Sequence, residues 1–358
     1  MTEQWLEVRR QLLDNRHRWG TEAAADYPAD HHVAGTPLLA PKSWIPTRPI
    51  PLTSIRLEFD PTATFSGVTG LEPSDTLPRR PDGTRYPSYA EAIAALAPPT
   101  VFENRPTYRL LAADLAGPDP VFRLGRGTYF DSINTGEASA HEYAAHRLGL
   151  SPTTPLRTAI GDPCDPARRP TNLAISTLTI RRDNSAGTFL LHWRDPKKVG
   201  HAGGMYQVVP SGIFQPSADA SWNERRDFSL WRNLVRELSE ELLGTSEDHG
   251  STSAPIDYDA WPFAKQLSTA LSSGSASAYC VGLGVDPLTF ATDLLTVLTV
   301  DSEVFDTLFA NLTTANDEGR VLTPQPFTAD TISNFTHHHP MQPAGAALLR
   351  LAWQHHQT

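Results

Sequence analysis

Three glutamates, Glu237, Glu240 and Glu241, stand at positions i, i+3 and i+4 of the segment RELSEELLG, residues 236–244. In the same segment and just before it, Trp231, Leu234, Val235, Leu238 and Leu242 recur at helical spacing. At 100° per residue the apolar side chains share one face of a helix and the glutamates share another. Like charges at this spacing destabilise an isolated helix by about a few tenths of a kcal/mol per pair, so something must offset the repulsion. Hard divalent cations such as Mg²⁺ and Mn²⁺ take oxygen ligands and are commonly held by carboxylates together with substrate phosphates. The cluster therefore points to a cation bridging the chain to a small phosphorylated molecule, set against the ordinary alternative of a solvated Glu-rich face. The spacing predicts a helix over Phe228–Leu243, with Asp227 as its N-cap and Gly244 as a left-handed C-terminal cap.

Strands have to position such a helix. Leu173–Arg181 (LAISTLTIR) has strand composition, and Thr188–Trp193 (TFLLHW) reads as its hairpin partner. A loop carrying Gly200, Gly203 and Gly204 leads to a short strand MYQVVP. Further strands are expected at Ala278–Gly284 and Leu294–Val300, and helices at Val304–Leu312 and Ala344–His355. Nearer the start, Trp5, Val8, Leu12 and Leu13 mark an amphipathic helix ending near Gly20. The Pro-rich stretch 37–61 reads as an extended arm packed on the surface through Trp44, Ile45 and Ile50. A loop over 72–87, a helix at Tyr89–Leu96, a strand near Val121–Leu124 and a helix from about Gly136 complete this part. The turn-rich run Ser151–Pro170 is the expected boundary, giving an N-terminal α+β region over 1–165 and a second domain over 166–358. The fold class is α/β of the α+β kind.

Composition narrows the functions. A net charge of -10 over 358 residues argues against neutralising a nucleic-acid backbone, which needs clustered Lys and Arg. Cys164 and Cys280 alone supply neither a disulfide framework nor a thiolate metal site, and are expected to be buried in a reducing compartment. No secretion signal opens the sequence, and the most apolar stretch, 279–300, is broken by Asp286, Pro287 and Asp293. The expectation is a soluble, cytoplasmic protein without a membrane span.

The segment RELSEELLG resembles the second half of the Nudix box. The stretch GGMYQVVPSGIFQP, residues 203–216, is similar to the strand and glycine-bearing loop that precede the box helix, and TIRRDNSAGTFLLHWRDP to the family's early strands. This resemblance covers about residues 170–358. The N-terminal region resembles the accessory region of large actinobacterial Nudix-like proteins. The resemblance implies a mixed-sheet α/β/α sandwich, with Glu237, Glu240 and Glu241 as ligands of Mg²⁺ or Mn²⁺ and Arg236 orienting one carboxylate. Catalysis would fall to Glu240, Glu241 and Arg236, with Ser211, Gly212 and Lys198 at the substrate. The implied reaction is attack of water on a diphosphate linkage of a nucleoside diphosphate derivative or another organic pyrophosphate. Its general base is left open among Glu241, Glu303 and Glu318.

Departures from the family pattern are specific. Gly212 lies 24 residues before Arg236, about ten more than the family spacing, so SADASWNERRD reads as an insertion. Phe228 falls where the first box glutamate belongs, and the nearest acids are Glu224 and Asp227. The closing glycine, Gly244, comes one residue late. These features also suit the alternative of a catalytically inactive Nudix-like module that binds or senses a phosphorylated metabolite. A homodimer is left open. His337–His339, His31–His32, Lys197 and Gly125-Arg126-Gly127 carry weaker signals, since none has a metal-ligand or phosphate-loop spacing.

Overall fold

The β-branched and apolar run at residues 171–183 becomes the axis of the fold, a strand buried along most of its length as expected when both faces are covered. The computed structural model describes residues 2–183, 186–194, 204–246, 248–312 and 319–356. In chain order the described elements begin with α1 (Thr2–Ala24), β1 (Ile50–Pro51), β2 (Arg56–Phe59), α2 (Tyr89–Leu96), β3 (Pro106–Asp114) and β4 (Val121–Thr128). They continue with α3 (Tyr129–Ser132), α4 (Ala138–Arg147), α5 (Pro155–Ile160), β5 (Thr171–Asp183), β6 (Ala186–Phe189) and β7 (Leu191–Arg194). Then come β8 (Tyr206–Val208), β9 (Ser211–Ile213), α6 (Asn223–Arg226), α7 (Leu230–Leu243) and α8 (Pro262–Ser273). The rest are β10 (Ala276–Val285), β11 (Thr292–Asp301), α9 (Ser302–Leu308), β12 (Gly319–Val321), β13 (Gln325–Pro326), α10 (Ala329–His338) and α11 (Pro343–His356).

These elements form an α+β fold around one mixed sheet, ordered β1-β10-β11-β5-β3-β4-β2. Its β11–β5 and β2–β4 pairs are parallel and the others antiparallel. One edge of β5 is shared in sequence by three partners: β3 at Thr171–Asn172, β9 at Ala174–Ser176 and β6 at Ile180–Asp183. A second, three-stranded sheet has the order β12-β7-β8. Helices α7 and α11 both pack against β5. The sheet and the largest apolar cluster draw on residues from both sides of position 165, with Leu110, Phe122 and Leu124 packed into the same core as Leu173, Leu238 and Leu298.

Several expectations need correction. The run Thr188–Trp193 is not one strand: it divides at Leu190 into β6, paired with β5, and β7, which leaves for the small sheet. The Pro-rich stretch is not a surface arm. Leu38, Leu39, Trp44 and Leu52 are core residues, and the short edge strands β1 and β2 tolerate its prolines because an edge leaves backbone groups unpaired. The strand β3 and the helices α8 and α10 were not expected, and the helix expected at Val304–Leu312 is α9, Ser302–Leu308. A five-residue π turn, Ile133–Glu137, precedes α4 where a helix start near Gly136 was expected. Cys164 and Cys280 are buried, and burial pushes both thiols up to about 12. Among the described residues no helix is long and apolar enough to cross a membrane.

Candidate functional site

Helix α7 starts and ends for local reasons. Ser229, not Asp227, is the N-cap, its side chain accepting from the Arg232 N–H at 3.4 Å. Gly244 takes φ 69° and ψ 28°, the left-handed C-terminal cap that its sequence position suggested. Leu230, Leu234, Val235, Leu238 and Leu242 are buried, so the apolar stripe faces the core. The opposite side is not bathed in water. It lies along residues 211–215, and the residues one turn apart on α7 meet that segment in order.

Glu241 Oε1 accepts the Ser211 backbone N–H at 2.6 Å. Next, the Glu237 carboxylate rests where a β-carbon on residue 212 would be, so Gly212 leaves the room this carboxylate occupies against the strand. Asn233 Oδ1 then accepts from the Gln215 N–H at 3.4 Å, and Arg236 donates to the Gln215 carbonyl at 2.7 Å. Glu241 is only 4% exposed, which sets it apart from an ordinary solvated glutamate. Glu237 and Glu240 are half-buried.

Arg236, expected to orient one of the glutamate carboxylates, feels the Glu237 charge and makes its strongest contacts in a buried network. Its guanidinium donates to the Tyr258 hydroxyl at 2.8 Å and to Asn233 Oδ1 at 3.0 Å, and the carboxylate it pairs with is Asp227 at 3.4 Å. Burial alone would loosen the proton of Arg236, but the Tyr258 oxygen and the Asp227 charge outweigh it and raise its pKa. Asp227 is wholly buried and also accepts from the Ser217 N–H at 2.8 Å, the Ser217 hydroxyl at 2.6 Å and the Tyr258 hydroxyl at 2.8 Å. It is thus the acid that serves Arg236, while Glu224 pairs with Arg126 at 2.6 Å. The Ser217–Asp227 bonds also close the base of the 217–227 loop.

One residue of the neighbourhood escaped the sequence reading. His192, on β7, is fully buried, with Nδ1 3.3 Å from Glu241 Oε2. Neither ring nitrogen has a hydrogen-bond partner among the described residues. The signal was a lone polar ring in the apolar run FLLHW, unreadable without the fold.

Other expected residues fall elsewhere. Lys197, Lys198 and Glu318 lie outside the described residues. Glu303 lines a cavity of about 440 Å³ between α8 and α9 that no residue of the 236–241 segment touches. His337 is occupied at the surface, with Nε2 2.7 Å from Arg350 and Nδ1 2.9 Å from the Ser333 carbonyl. His32 Nε2 meets the Ala24 carbonyl at 3.0 Å, and Gly125–Gly127 lie inside β4 rather than in a phosphate-cradling loop.

The donors suit a hard divalent cation in kind, and the glycine cradle at 212 leaves room for a carboxylate against the strand. Among the described residues, however, no three His, Cys, Asp or Glu side chains converge closely enough to hold a metal ion. A cation here would take one or two side chains and complete its shell from water and substrate phosphate, the usual mode for Mg²⁺. Neither protein-family models nor curated proteins give a match to this chain.

Proposed function

We propose that this protein is a cation-dependent hydrolase of the Nudix type, cleaving a diphosphate linkage in a nucleoside diphosphate derivative or another organic pyrophosphate. The observation that carries this reading is the burial of Glu241 against β9, with its carboxylate held by the Ser211 N–H. A carboxylate kept out of water at a strand edge, beside a second one at Gly212, is costly unless it has work to do there. Mg²⁺ or Mn²⁺, when bound, would polarise a phosphoryl oxygen and lower the pKa of the attacking water. The chain's own contribution is orientation. Ser211 fixes one oxygen of Glu241, and the other faces the His192 ring at 3.3 Å. Gly212 admits Glu237, and Arg236 with Asp227 and Tyr258 holds the segment after β9 against α7. Arg236 is accordingly a positioning residue in this reading, and Glu240 a ligand on the more open side of the helix.

A second reading, a module that binds a phosphorylated metabolite without turning it over, is favoured by one observation: three donors do not converge among the described residues. A phosphate-release screen over nucleotide sugars, dinucleotides and nucleoside triphosphates, with and without Mg²⁺ or Mn²⁺, separates the two. The hydrolase reading expects cation-dependent release from at least one of them, abolished by EDTA. With that substrate, Glu241→Gln keeps shape and fold but removes a charge and a proton acceptor, so turnover should fall ~10²–10⁴-fold. Parental turnover in Glu241→Gln at saturating Mg²⁺ would move the binding module ahead.

A further inference from the structure

Glu303 belongs to the cavity of about 440 Å³ between α8 and α9, a volume within the range of small-molecule sites. The two helices run antiparallel along it. Ser275, just past α8, accepts the backbone N–H of Asp301, just before α9, at 2.8 Å. At the other end the rings of Phe263 and Phe309 lie 5.8 Å apart. Lys265 stands in the first turn of α8 and Glu303 in the first turn of α9, and both line the cavity. The antiparallel course therefore sets an ammonium and a carboxylate at opposite ends of the groove. At 1.5 Å per residue their backbones are about 12 Å apart along the helices.

The stretch between those ends is apolar, lined by Ala270, Val304 and Leu308. The hydroxyls of Thr269 and Thr307 are spent on their own helices, donating to the Lys265 and Glu303 backbone carbonyls at 2.8 Å each. Both end groups are exposed, and neither side chain has an ion-pair or hydrogen-bond partner among the described residues. Solvated charges are ordinary on a surface; here opposite charges stand at the two ends of one apolar trough. We propose that this groove binds a linear zwitterion, its carboxylate at Lys265, its ammonium at Glu303 and an apolar chain between them. A ligand charged at one end only would answer one end of the groove and leave the other facing a hydrocarbon. The inference is independent of the hydrolase reading, since no residue of the 236–241 segment lines this groove.

The test uses the full chain and three probes of matched length, 8-aminooctanoate, octanoate and octylamine, titrated by nuclear magnetic resonance at low salt. Exposed ion pairs are individually weak, so 8-aminooctanoate should bind about 3- to 5-fold tighter than either single-charge probe, and the advantage should shrink in high salt. Each end is then tested separately. In Lys265→Gln, 8-aminooctanoate should bind no better than octylamine, and in Glu303→Gln no better than octanoate. No saturable binding of 8-aminooctanoate, equal binding of octanoate or octylamine to the parent chain, or an advantage that survives in both variants overturns the inference. So does a dimer seen by sedimentation that Lys265→Gln dissolves, which would give the groove to a second copy of the chain. Should either variant not fold, the three probes on the parent chain decide.

Discussion

At the scale of single residues, Gly212 gives the sharpest separation of shape from stability. A β-carbon there meets only the far end of the Glu237 side chain, which can swing aside. Gly212→Ala should therefore fold with a stability change of no more than about 1 kcal/mol while displacing Glu237 from β9. Equal cation affinity in Gly212→Ala and the parent, measured by calorimetry, would remove Glu237 from the site. A second residue makes stability depend on pH. His141 is buried against Trp5, with Nδ1 3.1 Å from the Tyr89 hydroxyl and Arg9 and Glu137 nearby, and burial first, then the Arg9 charge, press its pKa from 6.5 to about 3. A folded-state pKa below the unfolded one means that the unfolded chain binds the extra proton. The stabilisation is then complete above about pH 6.5 and is lost as pH falls toward about 3, by about 2 kcal/mol at pH 5. Urea midpoints at pH 7 and pH 5 should draw together in His141→Asn, and an unchanged slope would exclude His141 as the source. The glutamates of α7 could be read from sequence because helical spacing alone puts them on one face. His192 could not, because its meaning comes from a helix about fifty residues further along the chain, and no local pattern encodes that approach.

At the scale of elements, α7 and the loop before it act as one unit. The helix, its apolar face and its glycine cap followed from periodicity and turn chemistry, and the structure places its first residue at Leu230. The cap was misassigned because Asp and Ser both serve that position well, and a sequence does not say that Asp227 is taken up by Ser217, Tyr258 and Arg236. That network makes a prediction. Asp227→Ala strips the buried Arg236 of its paired carboxylate, so a loss of ~3–5 kcal/mol is expected, together with easier proteolysis of the 217–227 loop. Chemical denaturation reads the first and limited digestion the second, and a loss under 1 kcal/mol would mean that Arg236 does not depend on Asp227. The strand Thr188–Trp193 was drawn as one piece for a related reason: apolar and aromatic residues continue through Leu190 although the chain changes sheets there. Composition records what a strand is made of, and the partner it chooses is set elsewhere.

At the scale of the whole molecule, the α+β class was legible from alternating strand and helix signals, but the way the N-terminal residues join the sheet was not. Proline-rich sequence argues against sheet interior, and β1 and β2 satisfy that rule by lying at the two ends of the strand order. Since β3 and β4 continue the same sheet past β5, a fragment spanning 166–358 would expose the β5 edge at Thr171–Asn172 and the apolar residues packed on Leu110 and Phe122. Such a fragment is expected to aggregate or to melt well below the full chain, and a soluble fragment with full-length stability would show that the N-terminal strands are dispensable. The strand order also has a consequence during synthesis. Ile50 pairs with Cys280, and Leu39 exchanges backbone hydrogen bonds with Val285, across about 230 residues of intervening chain. At about 5–20 residues per second a ribosome needs roughly 10–50 s to deliver those partners. Through that interval Leu38, Leu39 and Trp44 are apolar side chains without their native cover, which makes the early chain a natural client for chaperones that hold nascent polypeptides.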